Sequence, residues 1–131
     1  MTGGVERISS GGPYEDVIGY SRAVAAGDFV LVSGCTSVVD GVFVGEGDPF
    51  EQTLTAFGIA EKALQKAGLS RDDVVRTRMY ITHARDADEV GRAHKAMFDT
   101  ARPAATMVVV AGLIDSRMLV EVEVEAYRGA K

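Results

Sequence analysis

Apolar and polar residues alternate along several segments of the chain with a period of two, which is typical of β-strands that bury one face. The pattern is clearest in Met118–Tyr127, which sets Glu121, Glu123 and Glu125 against Val120, Val122, Val124 and Ala126. Val74–Thr82 likewise sets Arg76, Arg78, Tyr80 and Thr82 against Val75, Thr77, Met79 and Ile81. Shorter strands are predicted at Val5–Ser9, Tyr20–Ala26, Phe29–Ser33, Val42–Val44 and Thr106–Ala111. Turn signals at Gly27-Asp28 and Asp40-Gly41 separate some of these strands.

Two segments carry apolar residues at helical spacing. The first, Asp48–Leu69, starts with an N-cap aspartate and a proline at the first helical position, and Gly68 is suited to end it. Its apolar stripe consists of Phe50, Leu54, Phe57, Ala60, Leu64 and Ala67. The second helix is predicted from Ala87 to Thr100, with Asp86 as its capping acid and an apolar stripe of Val90, Ala93, Met97 and Ala101.

The predicted order of elements, β-β-(β)-α-β-α-β-β, indicates an α+β fold. Right-handed β-α-β crossovers place both helices on the same face of one mixed sheet. The other face then carries the arginine and glutamate stripes, and Thr106–Ala111 is apolar on both of its sides. A strand of that kind is usually covered on both sides, so we expect self-association into a closed homo-oligomer. In the alternative interpretation, the charged stripes form a solvated face.

Composition narrows the classes of protein. The 131 residues, 47% of them apolar, predict a single domain over residues 1–131 with a loop-rich segment at 1–16. A net charge of −5 disfavours binding to nucleic acid or to an anionic membrane. The sequence has no apolar run of the roughly 20 residues that a membrane span needs, and its start lacks the apolar core of a signal peptide. The single cysteine, Cys35, favours a reducing cytoplasm, and no Cys/His spacing indicates a metal site.

Five segments, in this order, resemble the YjgF/Rid family. They are Val32-Ser33-Gly34, Ala67-Gly68-Leu69, Asp73–Thr77, Arg102–Thr106 and Val122–Ala126. The resemblance extends from about Tyr20 to Arg128. It implies a chorismate-mutase-like fold assembled as a homotrimer, with the helix-free sheet faces forming a central barrel. It also implies intersubunit clefts for a small-molecule ligand and, in deaminating members, hydrolysis of enamines or imines without a cofactor.

The resemblance implies a set of site residues. Glu123 matches the glutamate that activates the attacking water or passes a proton. Tyr20, Ser33, Gly34, Thr106 and Met107 match ligand-contacting positions, with Met107 replacing a residue that is often cysteine. The Gly12-Pro13-Tyr14 sequence looks like a family motif but lies too far from Ser33-Gly34, so Tyr20 is the better match.

One departure concerns the chemistry directly. Where deaminating members have an arginine that pairs with the substrate carboxylate, this chain has Ala105. The candidates for a replacement cation are Arg102, beyond the rigid Pro103, and Arg78, on the face of Glu123. Arg78 has a second interpretation, in which Arg76 and Arg78 neutralise Glu121 and Glu125 within an oligomer contact.

Three further residues are compared with the family. Cys35 is interpreted as a small buried hydrophobe rather than a nucleophile. His94 is either a general base or a helix-surface or interface histidine, and Gly91 replaces an asparagine of the deaminases.

The sequence therefore predicts a cytoplasmic homotrimer that binds a small metabolite and hydrolyses an enamine or imine. Ala105 argues against ordinary 2-aminoacrylate deamination. A non-catalytic ligand-binding or regulatory trimer is the alternative, and an endoribonuclease or translation inhibitor is the weakest of the three.

Overall fold

A mixed six-stranded sheet forms the centre of the computed structural model, which describes residues 4–129. The strands and helices follow each other along the chain as β1 (Val5–Ile8), β2 (Ala23–Ala26), β3 (Phe29–Cys35), β4 (Val38–Val39), β5 (Val42–Phe43), α1 (Pro49–Lys66), β6 (Val74–Ile81), α2 (Ala87–Phe98), β7 (Ala104–Val109) and β8 (Val120–Tyr127). The order across the sheet is β1-β2-β3-β8-β6-β7, with β4 and β5 as a separate hairpin. Strands β6 and β7 are parallel, and the other neighbours in the sheet are antiparallel.

Both helices cover the same face of this sheet, as the sequence predicts. Helix α1 packs on β3 and β8, and α2 packs on α1. The core between them is formed mainly by aliphatic side chains of the strands and small residues of the helices, among them Val30, Val122, Val124, Ile81, Ala56, Phe57, Ala60 and Leu64. The α+β class and the two-helix layer are therefore confirmed.

Helix α1 begins and ends through the signals that its sequence carries. The Asp48 side chain accepts a hydrogen bond from the Glu51 backbone N–H at 3.0 Å, which satisfies one free donor of the first turn. At the other end Gly68 adopts φ +82°, and Leu69 N–H donates to Leu64 C=O at 2.9 Å. The regular helix stops at Lys66, three residues before the predicted end.

Helix α2 begins differently from the prediction. Asp86 was expected to cap it, but its side chain makes no capping hydrogen bond and its backbone is already helical. A short turn at Ala84–Asp86 leads directly into the helix, which ends at Phe98 rather than Thr100.

The prediction for Val75 is wrong because of a β-bulge. Val74 pairs with Ala126 while Arg76 pairs with Glu125, so one extra residue is accommodated between them. Val74 is consequently the buried side chain and Val75 is 44% exposed.

The other strand predictions differ mainly at their ends. The strand expected at Tyr20–Ala26 begins only at Ala23, and the one at Phe29–Ser33 continues to Cys35. The run predicted as Thr106–Ala111 is a strand over Ala104–Val109, at the edge of the sheet. Residues 5–8 of the predicted loop-rich segment form β1, Glu15–Gly19 form a helical turn, and residues 1–3 lie outside the described part. Among the helices described, neither α1 nor α2 combines the length and the apolar character needed to cross a bilayer.

Candidate active site

The sheet face opposite the helices carries paired charges on the neighbouring strands β6 and β8. The register aligns Tyr80 with Glu121, and places Arg78 beside Glu123 and Arg76 beside Glu125. Because side chains at neighbouring positions of adjacent strands share a face, these six groups lie on one surface. This surface, called the open face below, is not covered by any element within residues 4–129.

Glu123 is held at the centre of the open face by a tyrosine. The Tyr80 hydroxyl donates to Glu123 Oε1 at 3.1 Å, and Arg78 Nη1 lies 3.9 Å from the same oxygen. Burial and the hydrogen bond to Glu123 raise the pKa of Tyr80, so the phenol stays protonated and remains a donor at neutral pH.

Arg78 is paired principally with the next glutamate along β8. Its Nη1 donates to Glu125 Oε2 at 2.8 Å, and its side chain is 37% exposed. Arg76 donates to Thr106 Oγ1 at 2.7 Å. Within one chain, Arg78 therefore pairs with Glu125, whereas Arg76 contacts a hydroxyl of the edge strand.

The Ser33-Gly34 segment forms a bulge at the end of β3. Val32 pairs with Val124 and Cys35 with Val122, so Ser33 and Gly34 together lie opposite Glu123. The Ser33 hydroxyl donates to the Ser21 carbonyl at 2.6 Å.

Arg22 holds the backbone of this bulge. Its Nη1 donates to Gly34 C=O at 2.8 Å and to Ser33 C=O at 3.3 Å, and its guanidinium lies 5.6 Å from the centroid of the Tyr20 ring. These contacts bring Tyr20, Ser33 and Gly34 together near Glu121, at the end of the open face where β8 begins.

Glu121 lies directly against Gly34. A Cβ added at residue 34 would collide with the Glu121 carboxylate, so a larger residue there would push this carboxylate aside. Burial and the charge of Glu123 raise the pKa of Glu121, and Arg22 opposes this shift.

Cys35 is confirmed as a buried residue. Its side chain is 2% exposed, and burial raises the pKa of the thiol to about 11 despite the nearby Arg22. A thiol in this state is a poor nucleophile.

Ala105 and Met107 lie on the other side of the sheet. They align with Thr77 and Met79, which are buried beneath the helices, and Met107 packs against that core. Glu123 and Ala105 therefore project from opposite faces.

Arg102 lies in the segment that joins the end of α2 to the start of β7. It has a left-handed backbone, with φ +51°, and its side chain donates to Asp99 Oδ1 at 2.6 Å and to Asp99 C=O at 2.7 Å. Its side chain is 72% exposed and shares Asp99 with Lys95.

His94 is neither a surface nor an isolated residue. Its Nε2 lies 2.8 Å from the Thr77 hydroxyl, and its ring packs against Phe57 and Phe98. Burial lowers the pKa of His94, which favours the neutral imidazole. A shallow cavity of about 270 Å³ borders it, lined by His94, Lys95, Phe98, Asp99, Arg102 and Pro103.

Within one copy of the chain, the predicted site residues thus lie in two separate groups. Tyr20, Ser33, Gly34, Arg78, Thr106 and Glu123 belong to the open face, and Arg102, Ala105 and Met107 lie at the β7 edge toward the helices. No group of three or more His, Cys, Asp or Glu side chains within residues 4–129 is arranged to hold a metal ion.

The sequence did not predict two residues beside the first group, Arg22 and Glu121, as part of the site. Arg22 precedes β2 in what was predicted to be an ordinary strand, and nothing local marks it as a clamp for residues 33–35. Glu121 was noted only as part of a charged stripe; its contact with Gly34 depends on the bulge, which the alternating pattern does not reveal.

Comparison with known proteins agrees with this architecture. A family model described as Endoribonuclease L-PSP matches residues 14–128. An uncharacterised protein of Streptomyces coelicolor is 56% identical over 126 residues, covering 96% of this chain and 94% of that protein. A RutC family protein of Pyrococcus abyssi is 31% identical over 111 residues, covering 83% and 86% of the two chains.

Solved structures of similar proteins share this fold. A Mycobacterium tuberculosis member of the YjgF/YER057c/UK114 family is 41% identical with a TM-score of 0.85, covering 95% of this chain and 99% of that one. Escherichia coli TdcF with bound serine is 25% identical with a TM-score of 0.78, covering 94% of each chain. The family model over residues 14–128 and the similarity in sequence and fold to these proteins show that the chain belongs to the YjgF/Rid family.

Proposed function

We propose that this protein is a homotrimer whose intersubunit clefts bind a small amino-acid-like metabolite and hydrolyse an imine or enamine. The observation that carries the proposal is the position of Glu123 on the open face, hydrogen-bonded by Tyr80 and opposite the Ser33-Gly34 bulge. A carboxylate fixed beside backbone donors and acceptors is suited to orient a water and take its proton.

The separation of the two residue groups supports an intersubunit cleft. Glu123 and Ala105 project from opposite faces of one sheet, so a ligand that meets both positions has to lie between two copies. The apolar part of the open face supplies a reason for association, because Phe29 and Leu31 are 47% and 44% exposed.

The ligand class follows from chemistry and from one relative. TdcF, which shares the fold, has serine bound in its structure. Of the two candidate cations here, Arg78 belongs to the Glu123 group but is engaged by Glu125, and Arg102 is engaged by Asp99 at the edge that carries Ala105. We propose that a substrate carboxylate, where there is one, displaces either Glu125 from Arg78 or Asp99 from Arg102.

Hydrolysis of imines is tested directly in solution. An amino-acid oxidase generates imines from neutral amino acids, and semicarbazide captures those that are not yet hydrolysed. Added protein is expected to lower the yield of semicarbazone and to accelerate ammonia release. Glu123→Gln should abolish that acceleration, whereas Glu6→Gln, a strand glutamate outside the open face, should not.

The outcome also separates the alternatives. A wild-type protein that binds serine by calorimetry but leaves imine hydrolysis at the spontaneous rate would be a ligand-binding trimer. A ribonuclease is disfavoured because three glutamates on the open face would repel a phosphate backbone.

Arg78→Ala separates the two roles of that residue. If Arg78 only neutralises Glu125 within an oligomer contact, the variant should dissociate more readily in sedimentation experiments. If it holds a carboxylate, the trimer should persist while serine binding is lost.

A further inference from the structure

We propose that Glu121 is the proton donor of this site, held in position by the absence of a side chain at Gly34. The inference rests on the proposed imine hydrolysis and adds a second acid–base group to Glu123. It follows from where the Glu121 carboxylate lies: on the open face, against the bulge that is expected to contact the ligand.

The Glu121 carboxylate lies in the space that a side chain at residue 34 would occupy. A Cβ at residue 34 would be 3.0 Å from Glu121 Cδ and closer still to its Oε2. Gly34 does not have a positive φ, so the backbone alone does not demand glycine here. The glycine therefore leaves the space in which the Glu121 carboxylate lies, and a larger side chain at residue 34 would displace it.

The charged and titratable groups around Glu121 favour its protonated form. Glu123 lies two residues along the same strand and face, and Tyr80 is its register partner on β6. On the β3 side are Arg22, which favours the ionised form, and Cys35, which is neutral because burial raises the pKa of its thiol. Since burial and Glu123 outweigh Arg22, the pKa of Glu121 lies above its ordinary value.

A proton donor and a proton acceptor on the open face can share the reaction. Glu121 gives its proton to the imine nitrogen, while water adds to the imine carbon and passes a proton to Glu123. In the resulting carbinolamine, Glu123 returns that proton to the nitrogen. The C–N bond then breaks to release ammonia, and the hydroxyl proton goes to Glu121 as the C=O bond forms. Both carboxyls regain their starting states, and the sum is imine plus water to carbonyl compound plus ammonia.

The pH dependence of imine hydrolysis tests this role. Wild-type kcat should fall as pH rises through the pKa of Glu121. In Glu121→Gln, kcat should drop about 100-fold, the lower end of what general acid catalysis contributes, and lose that dependence, with KM little changed. Glu121→Asp, which keeps the acid, should retain part of the rate.

Gly34→Ala tests the positioning. It should displace the carboxylate and reproduce the Glu121→Gln profile, whereas Gly58→Ala, where an added Cβ meets nothing within 4 Å, should behave as wild type. A measurement that does not depend on activity is the NMR titration of ¹³C-labelled glutamate carboxyls, with the Glu121 signal assigned by its loss in Glu121→Gln.

The results distinguish two kinds of failure. If wild-type protein does not accelerate imine hydrolysis, the proposed function fails and this role fails with it. If wild type is active but Glu121→Gln keeps its rate and pH profile, the role of Glu121 alone is overturned. A Glu121 carboxyl that titrates at or below its ordinary pKa of 4.5 would also overturn it.

Discussion

At the scale of single residues, the surroundings of an ionisable group decide its protonation more than its residue type does, through burial at Cys35 and through hydrogen bonds at Glu15. Glu121 and Glu123 are two residues apart on one strand, yet only Glu121 packs against Gly34. Similarly, Cys35 is enclosed while Tyr14 is 58% exposed. Predictions at this scale therefore concern protonation and chemical access.

Glu15 should make stability depend on pH in acid. Burial favours its neutral form, but hydrogen bonds from the Ser10 hydroxyl at 2.6 Å and the Gly12 N–H at 3.1 Å outweigh burial and lower the pKa of Glu15 to about 2. Because the folded-state pKa is depressed, this stabilisation is present above about pH 4.5 and is lost as pH falls toward 2.

Urea denaturation measures this effect. The difference in unfolding free energy between wild type and Glu15→Gln should be largest at pH 7 and should shrink by pH 2.5. A difference that stays constant over this range would contradict the hydrogen-bonding explanation.

Cys35 should resist alkylation in the native protein. Its side chain is 2% exposed, so a reagent can hardly reach the sulfur. Burial also raises the pKa of the thiol to about 11, so little of the reactive thiolate is present at pH 8. Iodoacetamide labelling, followed by mass spectrometry, should be at least tenfold faster in denaturing urea than in buffer. Equal rates would show that the β3 end opens freely.

At the scale of elements, helix α1 is joined to the loop before β8 by one buried polar side chain. Gln52 is fully buried, and its amide donates to the carbonyls of Gly45 and Arg117 at 3.0 and 3.1 Å. Its oxygen accepts from Leu119 N–H at 2.9 Å. No apolar stripe predicts this residue, because its partners are backbone groups distant in sequence.

Gln52→Ala should therefore destabilise the fold strongly. Each buried group left unpaired costs about 1–3 kcal/mol, so we expect a loss of about 3 kcal/mol or more in unfolding free energy by urea titration. Gln65→Ala, an exposed position on the same helix, should change the unfolding free energy by less than about 0.5 kcal/mol. Equal effects at both positions would show that the hydrogen bonds of Gln52 contribute nothing beyond helix propensity.

At the scale of the whole molecule, one face of the sheet is covered by helices, and no element within residues 4–129 covers the other. The open face combines the exposed Phe29 and Leu31 with the charged pairs of β6 and β8. We expect three copies to bury this face, with Glu123 beside a cleft that another copy completes.

Leu31→Asp should dissociate the proposed trimer. A carboxylate placed opposite Glu125, its register partner on β8, adds repulsion and removes apolar contact. Sedimentation should show monomers with an unchanged circular dichroism spectrum, while Ala96→Glu on the exposed surface of α2 should leave the assembly intact. A monomeric wild type would overturn the trimer itself.

The sequence alone determined the α+β class, the order of elements, the helix-covered face and the family, because these follow from local periodicity, capping residues and short segments that resemble those of the family. Tertiary structure decided what depends on register. The bulge at Val75 moved an apolar side chain to the surface, and the bulge at Ser33-Gly34 brought Glu121 against Gly34. A one-residue insertion in a strand moves the following side chains to the opposite face of the sheet, and the alternating pattern does not predict where such an insertion occurs. The parallel pairing of β7 likewise decided that Ala105 and Glu123 face apart, which no local spacing could show.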